Sequence, residues 1–332
     1  MTAPPSTRRP PVLRRLRALA GALLTASGLL AAGPPAVAAE DIAIGEGIHI
    51  SWGPLIVADQ QKLWQREGLT PTVIPFASGR LVLDAVAGGR VLIGTASETP
   101  VALAALAGLP IRIIATVNGM EPFELAAVKE VGSIRDLKGR RIAFAQGTNA
   151  QYYLHKLLDA AGLTLADIAP ISMNPPEMVT SLANGSIDGF VWGEPHLSQA
   201  LKLGPDRFHV IRTPGLYKSF ASIIALQSTI DQKPELLAKA LRALTAASQS
   251  IARDPEAAIA LISERIKLDP EVARRIWPTL DFRVTLERDD LIRELDRQGR
   301  WAVASGLARP DAAVPDFAAV VVPGPLRAAR AP

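Results

Sequence analysis

Residues 133–195 contain the pattern that decides the fold: SIRDLKGRRIAFAQGTNAQYYLHKLLDAAGLTLADIAPISMNPPEMVTSLANGSIDGFVWGEP. The short apolar runs at 140–145, 168–173 and 187–192 each predict a strand. Between the first two strands, residues 149–162 carry apolar side chains at helical spacing and end at a glycine, which predicts a helix. Strands that alternate with helices in this way predict a mostly parallel sheet with helices on its faces.

The same alternation is present earlier in the chain. Apolar, β-branched runs at 42–45, 70–76, 90–94 and 111–117 predict strands, and the helices predicted between them each end at a glycine. The chain therefore contains two successive α/β regions.

A weak internal repeat relates the two regions. AVAGGRVLIGTASETPVALA (85–104) and SLANGSIDGFVWGEPHLSQA (181–200) each place a glycine, a strand, a turn containing glutamate and a proline at a helix start in the same order. The repeat indicates two similar lobes with equivalent loops, although two ordinary strand–helix units could resemble each other by chance.

The first 39 residues have the three parts of a secretory signal peptide: a basic start with five arginines, an Ala/Leu-rich run at 18–32 and small residues before Ala38 and Ala39. We expect cleavage after one of these two alanines; an uncleaved anchor is the alternative. Removal of the five arginines leaves 31 basic and 32 acidic residues, so the mature chain has no basic excess that would favour nucleic acid.

The chain contains no cysteine. Disulfides, thiolate catalysis and Cys-ligated metal centres are therefore excluded, as is a lipid-modified N-terminal cysteine. The mature length of roughly 290 residues suits two domains of ordinary size.

Within residues 133–195, the pieces DLKGRRIA, GT at a helix start, AGL-x-x-x-DI, NPP, ANGSIDG and WGEP resemble the nitrate/sulfonate/taurine branch of ABC-importer substrate-binding proteins. ISWGPLIVA and the G-T-A-x-x-x-P turn in the first region resemble that family more loosely. GGRVLIG departs from it, since the family usually has an acid in this strand, as Asp188 is in the second region.

The resemblance implies an α/β, two-lobed periplasmic-binding-protein fold with a ligand cleft between lobes, each lobe a mostly parallel sheet flanked by helices. We expect lobe one to comprise 40–122 plus 215–332, and lobe two 123–214. It also implies a monomeric periplasmic protein that does not span the membrane and passes a small, anionic ligand to ABC permease and ATPase subunits.

Several helix starts follow predicted strands directly, and these are the candidate anion sites. Helix N-termini present unpaired N–H groups and a partial positive charge, and open α/β sheets bind ligands at the carboxyl ends of their strands. Ser78-Gly79, Gly147-Thr148-Asn149 and Asn174 occupy such positions. The same polar side chains could instead serve only as N-caps.

Other candidates lie in the turns after strands. Trp52 and Trp192 could form cleft walls, and Glu98 and Glu194 occupy equivalent turns, where a carboxylate would imply an ammonium group on the ligand or a purely structural role. Arg80 and Lys218 could neutralise an anion directly. The complete set of expected ligand-binding residues is His49, Ser51, Trp52, Ser78, Gly79, Ser97, Glu98, Thr99, Asn118, Gly147, Thr148, Asn149, Asn174, Trp192 and Glu194.

The sequence gives little support for an enzymatic function. No Ser-His-Asp order, G-x-S-x-G, phosphate loop or dinucleotide fingerprint is present, and the histidines lack metal spacing. We therefore expect no catalytic residue, metal or cofactor. An enzyme on the same fold remains an alternative, but its cysteine-dependent relatives use chemistry that this chain lacks. A sensor that binds ligand without transport is a third hypothesis.

Overall fold

The computed structural model describes residues 1–2, 39–120 and 123–331, so most of the expected signal peptide lies outside the described residues. The strands are β1 Glu40–Gly47, β2 Leu69–Phe76, β3 Ile93–Ala96, β4 Ile111–Met120, β5 Glu124–Val128, β6 Arg141–Phe144, β7 Ala169–Ser172, β8 Gly189–Trp192, β9 Phe208–Ile211 and β10 Ser219–Leu226. The α-helices are α1 Gly53–Gln60, α2 Leu63–Arg66, α3 Gly79–Ala87, α4 Glu98–Leu106, α5 Asn149–Ala160, α6 Pro175–Ala183, α7 His196–Leu203, α8 Gln227–Gln232, α9 Pro234–Arg253, α10 Pro255–Ile266, α11 Pro270–Ile276, α12 Arg288–Ala304 and α13 Gly324–Arg330.

The strands form two five-stranded sheets, and each sheet is the centre of one lobe. Sheet one has the order β2-β1-β3-β10-β4 and sheet two the order β7-β6-β8-β5-β9. In sheet one, β1 pairs in parallel with β2 and β3, and only β10 runs antiparallel to its neighbours. In sheet two, β6 pairs in parallel with β7 and β8, and β5 is the antiparallel strand. The predicted fold class, two lobes built on mostly parallel sheets, is confirmed.

The antiparallel strand of each sheet is the first strand after the chain crosses between the lobes. After β4 the chain enters sheet two as β5, and after β9 it returns to sheet one as β10. The predicted repeat corresponds to this symmetry, since β3 with α4 and β8 with α7 occupy equivalent places in the two orders. The residue boundaries given above for the lobes stay a prediction.

Three apolar clusters stabilise the two sheets. One face of sheet one packs on α1, α9 and α10, with Trp64 and Leu241 fully buried, and its other face packs on α3, α4 and α12 around Val82 and Leu291. Sheet two packs on the helices of lobe two around Phe190. The C-terminal helices thus contribute to lobe one from both sides of its sheet.

The sequence LIVADQQKLWQREG (55–68), between the first two predicted strands, predicts one helix that ends at Gly68, but this helix is interrupted. The structure has two helices there, because Lys62 adopts a left-handed backbone conformation with φ 54° between α1 and α2. A lysine in this region of φ/ψ space is uncommon, and its sequence neighbours give no signal for it.

The contact of α3 with sheet one depends on the absence of a side chain at Gly94 in β3. A Cβ at this position would overlap Cγ1 of Val82 and lie 3.1 Å from Cγ2 of Val86. We therefore expect Gly94→Ala to lower the free energy of unfolding by about 1–3 kcal/mol through overpacking, as measured by urea denaturation. At Gly324 a Cβ would meet no atom within 4 Å, so Gly324→Ala is the control and should change stability little. Equal stabilities of the two variants would contradict this account.

Candidate ligand-binding site

A pocket lies between the two lobes at the carboxyl ends of their strands. It contains about 550 Å³ of unfilled space, part of which is open to solvent. Lobe one, the two crossings and lobe two all contribute to its lining. The lining residues are Gly47, Ile48, His49, Ser51, Trp52, Ala77, Ser78, Gly79, Arg80, Ser97, Pro100, Phe123, Thr148, Asn149, Trp192, Ser219 and Ala221.

Three helix N-termini meet at this pocket. Ser78 caps α3 by accepting a hydrogen bond from Leu81 N–H at 3.4 Å, and Thr148 caps α5 by accepting from Ala150 N–H at 3.3 Å. Ser97 is the N-cap residue of α4. The first N–H groups of a helix have no partner within the helix, and the helix dipole places partial positive charge there. The pocket is therefore suited to an anionic group.

Aromatic rings also line the pocket. The Phe123 ring centroid lies 5.7 Å from that of Trp192 and 6.2 Å from that of His49. Trp52 also lines the pocket and is buried. Such a surface favours a ligand with an apolar part next to its charge.

Arg80 provides a cation at the edge of the pocket. Its Nε donates to the Asp84 carboxylate, 3.2 Å from Oδ2, one helical turn along α3. Its Nη1 lies so close to Gly147 that a Cβ there would overlap it. The guanidinium thus extends from lobe one to the loop before α5, while Gly147 itself has φ 71°.

His49 and Ser51 form a close pair in the pocket. Nδ1 of His49 accepts from Ser51 N–H at 3.1 Å and lies 2.7 Å from Ser51 Oγ. Because Nδ1 accepts from the backbone, we assign Ser51 O–H as the donor to it. The contact resembles that between a nucleophile and a base, which sequence reasoning did not find, but here the imidazole caps the 3₁₀ turn Ile50–Trp52.

Nine of the fifteen expected residues line the pocket, and six lie elsewhere. Asn174 is exposed at the end of β7, the outermost strand of sheet two, and bonds Glu177 at 3.3 Å. Glu194 accepts from Ser198 at 2.8 Å, and Asn118 Oδ1 accepts from Asp281 N–H at 3.2 Å. The nine lining residues are His49, Ser51, Trp52, Ser78, Gly79, Ser97, Thr148, Asn149 and Trp192; the other six are Glu98, Thr99, Asn118, Gly147, Asn174 and Glu194.

Two lining residues that the sequence did not indicate belong to the crossings. Phe123 precedes β5, and Ser219 begins β10. Their place in the pocket depends on how the lobes face each other, and no local pattern encodes that. Arg80, which the sequence analysis names as a possible neutralising cation, lies beside Gly79 in the first turn of α3.

Beneath the pocket, Glu98 is the centre of a buried hydrogen-bond network. Its Oε1 accepts from Phe220 N–H at 2.7 Å, and its Oε2 accepts from Ser219 Oγ at 2.8 Å, Asn149 Nδ2 at 2.5 Å and Tyr217 Oη at 3.2 Å. Glu98 is fully buried, and the burial raises the pKa of its carboxyl to about 7, against the hydrogen bonds that favour its ionised form.

The network also joins the two lobes. Asn149 of α5 accepts from Thr99 N–H of α4 at 3.0 Å through Oδ1, so its amide contacts both Glu98 and the residue after it. Gln298 of α12 donates to Tyr217 Oη at 3.1 Å and to Glu294 Oε1 at 2.8 Å. Burial holds the pKa of the Tyr217 phenol well above its usual value, so it stays a hydrogen-bond donor at neutral pH.

Metal binding and membrane insertion were also considered. Among the described residues, no group of three or more His, Cys, Asp or Glu side chains is placed to hold a metal ion. In the same part of the chain no helix has both the length and the apolarity required to cross a bilayer.

Comparisons with known proteins identify a family and a shared fold. A protein-family model described as NMT1/THI5 like matches residues 50–258, more than half of the chain. The taurine-binding periplasmic protein of Escherichia coli K12 is 30% identical over 142 residues, which cover 42% of this chain and 44% of that protein.

Solved structures with the same fold cover most of the chain. The alkanesulfonate-binding protein of Xanthomonas axonopodis pv. citri bound to MOPS superposes with a TM-score of 0.73 at 22% identity, covering 85% of this chain and 98% of that one. The periplasmic nitrate-binding protein of Synechocystis PCC 6803 gives a TM-score of 0.69 at 17% identity, with coverages of 87% and 88%. At these identities the likeness concerns the fold.

The raised pKa of Glu98 makes stability depend on pH. Between the ordinary pKa of 4.5 and about 7, Glu98 is ionised in the unfolded chain but protonated in the folded one, so raising the pH favours unfolding. We expect the wild type to lose up to about 3 kcal/mol of unfolding free energy relative to Glu98→Gln over this interval. Chemical denaturation of both proteins from pH 4 to 8 measures the difference, and parallel stability curves would refute it.

Proposed function

The chain belongs to the NMT1/THI5-like family, and on that basis we propose that it is the substrate-binding component of an ABC importer. It captures a small organic anion between its lobes. The observation that supports this most directly is the pocket itself, which is lined by three helix N-termini, by Arg80 and by aromatic rings. This combination of positive charge and apolar surface fits a sulfonate or a related organic acid.

The composition of the pocket favours an organic anion over a bare oxyanion. Nitrate would use the N–H groups and Arg80 but would leave the rings of Trp52, Phe123 and Trp192 without a partner. A sulfonate that carries a carbon chain or ring can bind both parts. The names of the taurine-binding and alkanesulfonate-binding relatives are consistent with this choice.

Capture proceeds by closure of the lobes. The chain crosses between the lobes twice, from β4 to β5 and from β9 to β10. These two connecting segments form the hinge. Because Ser78 and Ser97 belong to one lobe and Thr148 and Trp192 to the other, a ligand between them stabilises the closed arrangement.

The proposed location and partners follow from this role. The mature, monomeric protein works in the periplasm after removal of the signal peptide, and it delivers its ligand to permease and ATPase subunits. Turnover is not part of the function: Nδ1 of His49 is already bonded by the Ser51 backbone, so the imidazole positions the turn at 50–52.

Ligand binding without turnover is the central expectation. We expect at least one of three organic sulfonates, namely taurine, ethanesulfonate and benzenesulfonate, to raise the stability of the mature protein. Nitrate is tested beside them as a bare oxyanion. At a hundredfold excess over Kd the gain is about 2.7 kcal/mol, measured by thermal unfolding. Mass spectrometry should recover the ligand unchanged. Failure of all three sulfonates to bind, or recovery of an altered ligand, would overturn the proposal.

The contribution of Arg80 is tested with a matched arginine. Hydrogen bonds to charged groups are worth about 1.5–3 kcal/mol, so Arg80→Gln should weaken binding of an organic sulfonate about ten- to hundredfold in calorimetric titrations. Arg300→Gln is the control, because Arg300 pairs with Asp296 one helical turn away, as Arg80 pairs with Asp84, but lies outside the pocket. Equal affinities of the two variants would exclude Arg80 as a ligand contact.

A further inference from the structure

We propose that Glu98 couples capture of the anion to the uptake of one proton: a protonated Glu98 donates to Ser219 Oγ, which releases the Ser219 O–H to donate to the anion. Glu98 is then a positioning residue that acts on the ligand through Ser219. The inference rests on the proposed function, because the anion is the ligand of the same pocket.

Ser219 is placed to respond to the state of Glu98. Ser219 lines the pocket, and its Oγ lies 2.8 Å from Oε2 of Glu98, while Asn149 Nδ2 donates to it at 3.1 Å. When Glu98 is ionised, it accepts only, so the single proton of the Ser219 hydroxyl is used within the network. When Glu98 carries a proton on Oε2, Ser219 Oγ can accept that hydrogen bond, and its own O–H can turn into the pocket.

The charge of Glu98 also makes binding of the anion stronger when Glu98 is protonated than when it is ionised. An ionised carboxylate directly beneath an anion site repels the ligand, and burial leaves little water to screen the repulsion. Protonation therefore removes a negative charge and adds a donor in one step. Binding of the anion must in turn favour the protonated form, since linkage is reciprocal.

Other charged and titratable groups surround Glu98, and the group that takes up the proton has to be distinguished from them. Glu294 on α12 is paired with Arg297 and Gln298, and the pKa values of Tyr152 on α5 and Tyr217 are raised, so both phenols keep their protons near pH 7. The elements packed against α4 also carry other charged or titratable groups. These are Arg80 and Asp84 on α3, Tyr153, His155, Lys156 and Asp159 on α5, Arg112 on β4, Lys218 beside β10, and Arg288, Asp289, Asp290, Arg293, Asp296 and Arg300 on α12. His49 is a second titratable side chain in the pocket and requires a control.

The experiment uses ethanesulfonate, which has no group that titrates between pH 6 and 8. Since burial raises the pKa of Glu98 to about 7, we expect wild-type affinity to fall about tenfold from pH 6 to pH 8. Calorimetry at pH 8 in buffers of different ionisation enthalpy should show uptake of close to one proton per ligand.

Variants identify the groups involved. Glu98→Gln should lose most of the pH dependence, and Ser219→Ala should keep only the part that comes from the charge of Glu98. Ser222→Ala should keep all of it, because Ser222 lies on the same strand but bonds Phe220 O, away from the pocket. His49→Gln should also keep it. Binding by the wild type without proton uptake, or full uptake by Glu98→Gln, would overturn the inference.

A ligand-free measurement separates this inference from the proposed function. At pH 6 the infrared difference spectrum of the wild type minus Glu98→Gln should contain the carbonyl band of a protonated carboxyl. This band should largely disappear by pH 8. Absence of the band overturns the inference whatever the ligand, whereas failure of every sulfonate to bind overturns the proposed function.

Discussion

The hydrogen bonds of Asn149 connect the N-termini of two helices that belong to different lobes. Its Oδ1 accepts from the backbone of Thr99 in α4, and its Nδ2 donates to Glu98, while Asn149 itself is the first residue of α5. All three residues are buried, so each of these polar groups would carry a desolvation cost without its partner. This amide therefore helps to fix the relative position of α4 and α5, together with the packing of Leu103 and Leu106 of α4 on the core of lobe two.

The hydrogen bonds to Glu98 explain why a carboxylate can lie beside a site for anions. Glu98 at the start of α4 accepts from Asn149 of α5 and from Tyr217, Ser219 and the backbone of Phe220, which lie where the chain returns to sheet one. The amide of a glutamine at this position could not accept from all of them, because its NH2 group only donates. The carboxylate therefore organises the junction of the lobes, and its proximity to the pocket gives that structural role an electrostatic effect on the ligand.

Local patterns in the sequence predicted the strand–helix units well. Loops such as Ser78-Gly79 and Thr148-Asn149 could be assigned to the pocket because every strand of a parallel sheet ends at the same edge. Strand β10 was not predicted: SFASIIAL is buried along most of its length, so it lacks the alternation that marks a half-exposed strand. Phe123 and Ser219 were missed for a related reason, since they lie where the chain crosses between lobes.

The interleaved order of sheet one has consequences for how the chain reaches its native state. Strand β10 lies between β3 and β4, although about a hundred residues separate it from either of them along the chain. Sheet two, in contrast, draws all its strands from Glu124–Ile211, so its pairings close shorter loops. Lobe two can therefore assemble first during synthesis or export, while β3 and β4 remain separated until the returning strand fills the gap between them.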